Sequence, residues 1–291
     1  MLHCSFPLRK NYRIVTGMAE PSGLTLVSRR SEPAPPALPP DPLEAVTIRC
    51  AEDIHSAAEA LAAIAAEHGF RVALCDDIST KEPMIDAEGT VLNADVFGWL
   101  GDGERWWEDT RLALSSPIPR ACRYESEPFW INADGIHGLW RNDYLDEIDL
   151  ADFHRRALVR AAIVVPVHLP FAQISANSFT PLAREQTDLS MEFAQHGAFL
   201  AQVTRRFIAG YVAAMRPQRR IPSDCVLSKR EVECLHWAAI GKTDREISMI
   251  LSRSHATIRY HIHRAGEKLN SVNRAQTIFK AGQLGYLGAN S

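Results

Sequence analysis

The stretch LSKREVECLHWAAIGKTDREISMILSRSHATIRYHIHRAGEKLN, residues 227–270, decides how the last quarter of this 291-residue chain folds. Ser228-Lys229-Arg230-Glu231 and Thr243-Asp244-Arg245-Glu246 both have the S/T-x-x-E form, in which hydroxyl and carboxylate each satisfy a free backbone N–H at a helix start. Two helix starts are thereby located. The first helix turns Val232, Leu235, Ala238 and Ala239 inward and ends at Gly241; the second carries Ile247, Ile250 and Leu251. Ser254 caps a third helix running to about Leu269, and Asn273 precedes a fourth, Arg274–Leu284, that stops at Gly285. Four short helices, the second and third separated only by a Ser252–Ser254 turn, make a compact bundle.

On the third helix, Ile258, Ile262, Ala265 and Leu269 fall within about 60° of one another at 100° per residue, so this stripe faces the core. The opposite arc holds Arg259, Tyr260, His263, Arg264 and Glu267. Long donor-bearing side chains near the start of an exposed helix suit the major groove of DNA, where an arginine reaches guanine O6 and N7 with two donors. Thr257 and Lys268 flank the arc and are placed for phosphates. The competing reading is a solvated charged face on an ordinary bundle. Charge decides for the groove: the net −3 divides into −10 over residues 1–215 and +7 over residues 216–291, with Arg216, Arg219 and Arg220 just ahead of the bundle. An acidic body with a basic end meets a polyanion through that end.

With 46% apolar residues the chain is ordinary globular protein, not collagen-like, disordered or a disulfide scaffold. It has no apolar run long enough to cross a bilayer and no secretory signal pattern, so the expected location is the cytoplasm, without membrane association. The cysteines, at 4, 50, 75, 122, 225 and 234, form no C-x-x-C pair and read as reduced core fillers. His261 and His263 lie two apart on a helix and point about 200° from each other, so no metal is expected. The chain has no Gly-rich phosphate loop, nucleophile elbow or HExxH, and His137 with Asp134, His154 and His168 form no acid–base set. No enzyme activity, catalytic residue or cofactor is expected.

Residues 1–42 end in SEPAPPALPPDP, half of it proline, and read as a disordered tail; Met18 offers an alternative start. Residues 43–215 form the first domain. Glu44–His68 places Ile54, Leu61, Ile64 and Ala65 on one helical stripe ended by Gly69. Phe70–Cys75 reads as a strand, Val91–Leu100 as a weaker one, and Ala161–His168 with Phe171–Thr180 as an antiparallel pair. A long helix over Leu182–Met215 follows, then a linker, 216–226, broken by Pro217 and Pro222, and the bundle at 227–291. This order predicts an α+β chain: an α/β/α sandwich sensor domain followed by a four-helix reader.

Leu227, Arg230, Glu231, Glu233 and Leu235, then Gly241, Thr243, Glu246 and Ile247, then Ser254, Thr257, Ile258 and His261, and finally Lys268, Leu269, Val272 and Arg274 stand at the spacings of a known motif. The segment resembles the LuxR-type helix-turn-helix; Ser248 stands where that family commonly has Ala. The resemblance implies a quorum-sensing type of transcriptional regulator that binds double-stranded DNA as a homodimer, with RNA polymerase as a further partner and Arg259, Tyr260 and His263 facing base edges. The first domain resembles the family's autoinducer-binding domain. Pro128-Phe129-Trp130 looks like its P-[FI]-x-W, with Trp130 walling the lactone pocket, and Ala176-Asn177-Ser178-Phe179 looks like its A-L-S-F, with Ser178 aimed at the ligand. Trp106, Trp107, Tyr124 and Phe129 complete the expected wall, part of an aromatic supply that also includes Trp99 and Trp140. One departure matters: the family's Asp-Pro, whose carboxylate accepts the ligand's amide N–H, is Ser116-Pro117 here. A buried amide N–H without its acceptor costs about 1–3 kcal/mol, so a divergent, solo-type sensor of a small apolar or lactone ligand is expected. The alternative is a ligand-independent dimeric regulator whose first domain serves only dimerisation or partner binding.

Overall fold

The computed structural model describes residues 41–80, 82–100, 115–215 and 226–288. All but the last two residues of the Pro-rich tail, the 216–225 part of the linker, and Trp106 and Trp107 lie outside them. Asp41 caps a first helical turn, α1 (Pro42–Ala45), accepting the Leu43 N–H at 3.1 Å. The chain then breaks before α2 (Ile54–Glu67), so the single helix expected over Glu44–His68 is two pieces. The break is chemical: Asp53 accepts the N–H groups of Arg49 at 2.8 Å and Cys50 at 3.1 Å, which favours a capped restart over continuation. Gly69, at φ +82°, takes the left-handed position that ends α2, as its sequence context predicts.

Five strands form one antiparallel sheet in the order β1 (Phe70–Ala73), β5 (Gln173–Pro181), β4 (Ala161–Leu169), β2 (Phe129–Asn132), β3 (Ile136–His137). The anticipated pair is its centre, with Val164 opposite Ser178 and Val165 opposite Asn177. Residues 161–167 are buried throughout because both faces of the sheet are covered, which explains their unbroken apolar run. Pro166 lies past the end of β2, which pairs only with Ala161–Val164.

Successive residues of β4 serve two cores. Ile163 and Val165, with Val72 and Phe179, face α2 and the long α6 (Ser190–Met215), where Leu61, Leu200 and Phe207 are fully buried. Ala162 and Val164, with Phe129, Ile131 and Ala176, face the short helices α3 (Pro117–Ala121), α4 (Asp143–Asp146) and α5 (Phe153–Ala157). α6 starts at Ser190 rather than near Leu182, since Asp188 accepts the Ser190 N–H at 2.9 Å and sets the first turn there. Gly210 of α6 sits against the Ile48 backbone, so close that a Cβ there would meet the Ile48 oxygen at 2.8 Å.

Val91–Leu100 is not a strand. Leu92–Val96 forms a helical turn, and only Val91 bridges, to Ile85. The buried Asn93 explains it: its side chain accepts the Leu74 N–H at 2.9 Å and donates to the Leu74 carbonyl at 2.7 Å, supplying the polar partners that an added strand would have supplied.

The last helices are α7 (Lys229–Ala239), α8 (Asp244–Ile250), α9 (His255–Lys268) and α10 (Arg274–Gln283). Both capping boxes form: the Ser228 N–H reaches Glu231 at 2.7 Å and the Thr243 N–H reaches Glu246 at 2.7 Å. Ser254 and Asn273 cap α9 and α10. Leu235, Ile247, Ile258, Ala265 and Ala281 close a separate core.

Candidate DNA interface and effector cavity

Helices α8 and α9 are joined by a tight turn in which Ser252 takes φ +51° and the Arg253 N–H returns to the Ser248 carbonyl at 2.9 Å. The turn leaves α9 with Ile258, Ile262, Ala265 and Leu269 buried and its other side outward. Arg259, Tyr260, His263 and Arg264 are all exposed on that side. Arg264 is partly engaged, at 2.5 Å from Glu267, and His263 lies 3.6 Å from the same carboxylate. Arg259 and Tyr260 stand nearest the helix start, the part of a reading helix that enters a groove first. Arg274 braces the arrangement from α10 through an ion pair to Asp244 and a 2.6 Å bond to the Lys242 carbonyl, tying the start of α8 to the start of α10.

The two flanking residues do other work. Thr257 bonds the Ser254 hydroxyl at 2.8 Å and is part of the α9 cap. Lys268 turns inward: its ammonium is 2.8 Å from Glu231 and 3.1 Å from the Val226 carbonyl. Burial disfavours the charge on Glu231, but the Lys268 ammonium and the Ser228 N–H outweigh it and hold the carboxyl below its ordinary range. Lys268 is therefore an internal strut between α9 and α7, not a side chain extended toward phosphates. Its partner lies 37 residues earlier, beyond the reach of a helical-wheel argument.

In the first domain, the face of the sheet toward α3 and α5 carries a cavity of about 760 Å³, including its mouth. Ala176, Ser178 and Thr180, alternate residues of β5, form its floor, with Cys75, Trp99 and Ser116 among its walls. The polar lining consists chiefly of hydroxyls, and among the described residues no carboxylate lines it. Ser116 is nine-tenths buried where the chain enters α3. Arg156 positions that entry: Nε and Nη2 donate to the Ser115 carbonyl at 3.0 and 2.7 Å, while Nη1 reaches Asp149 Oδ2 at 2.8 Å and the Ala151 carbonyl at 2.9 Å. Burial pushes the Cys75 thiol up to about 12, so it lines the cavity as an unreactive apolar group.

The aromatic wall differs from the expected one. Phe129 and Trp130, adjacent in β2, point to opposite faces: Phe129 is fully buried in the core beneath α3, whereas Trp130 is on the α6 side, stacked on His137 at 4.0 Å. Strand alternation forbids both from walling one cavity. Tyr124 is half exposed and stacks on Tyr144 at 5.5 Å. Among the described residues the ring that lines the cavity is Trp99, whose indole N–H donates to the Val72 carbonyl at 2.6 Å. Of the expected ligand residues Ser178 is in the lining, and the same period-two pattern through Ala176, Ser178 and Thr180 would have identified its two neighbours. His137 stacks on Trp130, and His168 bonds the Cys122 carbonyl at 2.8 Å.

Residues 225–281 match the model of the bacterial regulatory proteins of the luxR family. Beyond that segment, the chain is 30% identical over 225 residues to the transcriptional activator protein AhyR of Aeromonas hydrophila, covering 76% of this chain and 80% of AhyR. The chain belongs to the LuxR family of transcriptional regulators. This LuxR-family regulator is also 48% identical over 62 residues to the transcriptional activator protein LuxR of Aliivibrio fischeri, covering 21% of this chain and 25% of that protein. Among solved structures it is similar to SdiA in complex with octanoyl-rac-glycerol, at 19% identity and TM-score 0.43 over 86% of this chain and 95% of that one. The helix-turn-helix is thus the DNA-binding part of a quorum-sensing type of regulator. No helix among the described residues is long and apolar enough to cross a membrane.

Proposed function

We propose that this regulator reads DNA as a homodimer through α9, with Arg259, Tyr260 and His263 at base edges, under the control of a small molecule held in the sheet cavity. The observation that carries the reading is the division of α9 into a buried apolar stripe and an exposed donor-rich side, presented by a helix-turn-helix. Arg245 and Arg253, both exposed near the turn, supply charge for the backbone. AhyR and the Aliivibrio protein bear the name of transcriptional activators, and activation through contact with RNA polymerase is the corresponding output here. Coupling has a physical route: the Gln283 amide at the end of α10 donates to the Phe171 carbonyl at 3.0 Å, in the turn that joins β4 to β5. The cavity floor is on β5, so an occupant that shifts this strand shifts the strand next to that contact.

The test is effector-dependent DNA binding by wild type and by Ser178→Phe, which fills the cavity from its floor. Effector extracts from the native host should change wild-type affinity for promoter DNA and leave the variant unchanged. A variant that responds like wild type would overturn the effector site and favour a first domain that serves dimerisation alone.

A further inference from the structure

The cavity does not end at its β5 floor. Trp99, Leu158, Val159 and Thr180 also line a second, more polar basin of about 1160 Å³, including its open side, so the two spaces share a wall. This basin carries Arg71, Arg160, Arg184 and His154 against one carboxylate, Glu185. The Arg71 guanidinium carbon lies over the Trp99 ring, 3.6 Å from its centroid, and the group donates to the Gly98 carbonyl at 3.2 Å, which holds it at the junction of the two spaces. Thr180 stands at the same junction, its hydroxyl donating to the Arg71 carbonyl at 3.1 Å. Arg160 meets Glu185 only at 3.6 Å, well beyond the roughly 2.7–2.9 Å of a tight charge-assisted bond, and Arg184 is exposed.

We propose, resting on the reading of the cavity as an effector site, that the effector is an amphipathic carboxylate: an acyl or aryl acid whose apolar body occupies the cavity between sheet and α3 and whose anionic head meets the arginines of the adjoining basin. Two facts converge on this class. The described inner lining offers hydroxyls and the Arg156 guanidinium but no carboxylate, so among the described residues it has no charged acceptor for a ligand amide N–H. The adjoining basin is rich in guanidinium groups, whose paired donors match the two oxygens of a carboxylate and whose combined charge concentrates anions at the entrance. Body and head are thereby read by separate, adjacent surfaces, both meeting at Trp99.

The experiment uses the full-length protein with three probes, decanoate, methyl decanoate and N-octanoyl homoserine lactone, followed by tryptophan fluorescence and thermal shift. Decanoate should bind about tenfold or more tightly than either neutral probe, as expected for a charge-assisted pair, and added salt should weaken decanoate alone. The double variant R160A/R184A, altered only at exposed positions, should melt as wild type does and lose that preference. Equal binding of the ester or lactone, abolished by Ser178→Phe or by the milder Ser178→Leu, overturns the carboxylate head while leaving the effector cavity standing. So does a preference that survives in R160A/R184A. Binding of decanoate that persists in a folded Ser178→Phe protein, or no binding by any probe, overturns the cavity and its proposed ligand together.

Discussion

Replacing Lys268 by Met keeps the stem that packs between α9 and α7 and removes only the ammonium. What remains is a Glu231 carboxylate whose side chain is 6% exposed and which has lost its 2.8 Å partner, keeping the Ser228 N–H at 2.7 Å. Breaking a fully buried pair costs about 3–5 kcal/mol; Lys268 is a quarter exposed, so a discounted cost of about 2–3 kcal/mol follows. At 1.4 kcal/mol per tenfold, hydrogen exchange in the α7 amides, which open with the helical bundle, should quicken by about 30- to 140-fold at neutral pH. The sign with pH is set by the lowered carboxyl of Glu231: its contribution is present above the unfolded value near 4.3 and is lost as pH falls through the folded one. The penalty in Lys268→Met should therefore shrink as the medium is acidified. DNA binding gives the second readout. A lysine that neutralised a phosphate would contribute about 0.9 to the slope of log K against log salt, whereas an internal strut contributes none. A slope reduced by about one unit with unchanged α7 exchange would refute the internal role.

Three further outcomes follow from the first domain. Gly210→Ala should destabilise it by about 1–2 kcal/mol in urea unfolding, since overpacking against the Ile48 oxygen exceeds the helix preference of alanine; a neutral or stabilised variant would show that α6 and the Ile48 segment are not in contact. Burial opposes the charge on Asp86, but bonds from His55 at 2.8 Å and the Thr90 N–H at 2.8 Å bring its carboxyl down to about 2, while His55 is raised by the same partner. Asp86 stabilises above its unfolded value near 3.9 and His55 below its own near 6.5, so the stability gap between wild type and Asp86→Asn should be widest between those pH values. A gap that is flat with pH would remove the pair from the account. Arg156→Lys, which cannot reproduce the paired hydrogen bonds to the Ser115 carbonyl, should loosen the entry to α3 and weaken effector binding more than it lowers the melting temperature. Equal effects on both would make Arg156 a general stabiliser only.

What was legible in the residues was whatever is encoded locally. Ser228 with Glu231, Thr243 with Glu246, Ser254 and Asn273 each mark a helix start within four residues, and all four starts are found where those residues lie. The central strand pair was legible because a sheet covered on both faces needs a continuous apolar run, and residues 161–167 supply one. Where partners are distant in sequence, the reading failed. Asn93 turns a strand-like segment into a helical one through Leu74, 19 residues away, and Lys268 is drawn inward by Glu231. Phe129-Trp130 is instructive in another way: a motif names two residues together, but the pleat sends them to opposite faces, and among the described residues the ring in the cavity is Trp99. Ser116, whose place in the sequence drew attention to it, does line the cavity.

The central claim is that α9 reads bases. A duplex selected from a randomised pool by the full-length wild-type protein should lose about 1–3 kcal/mol of affinity for Arg259→Ala, while affinity of that variant for random DNA at the same salt stays close to wild type. An equal loss on selected and random DNA would place Arg259 at the phosphate backbone and contradict base reading by this helix.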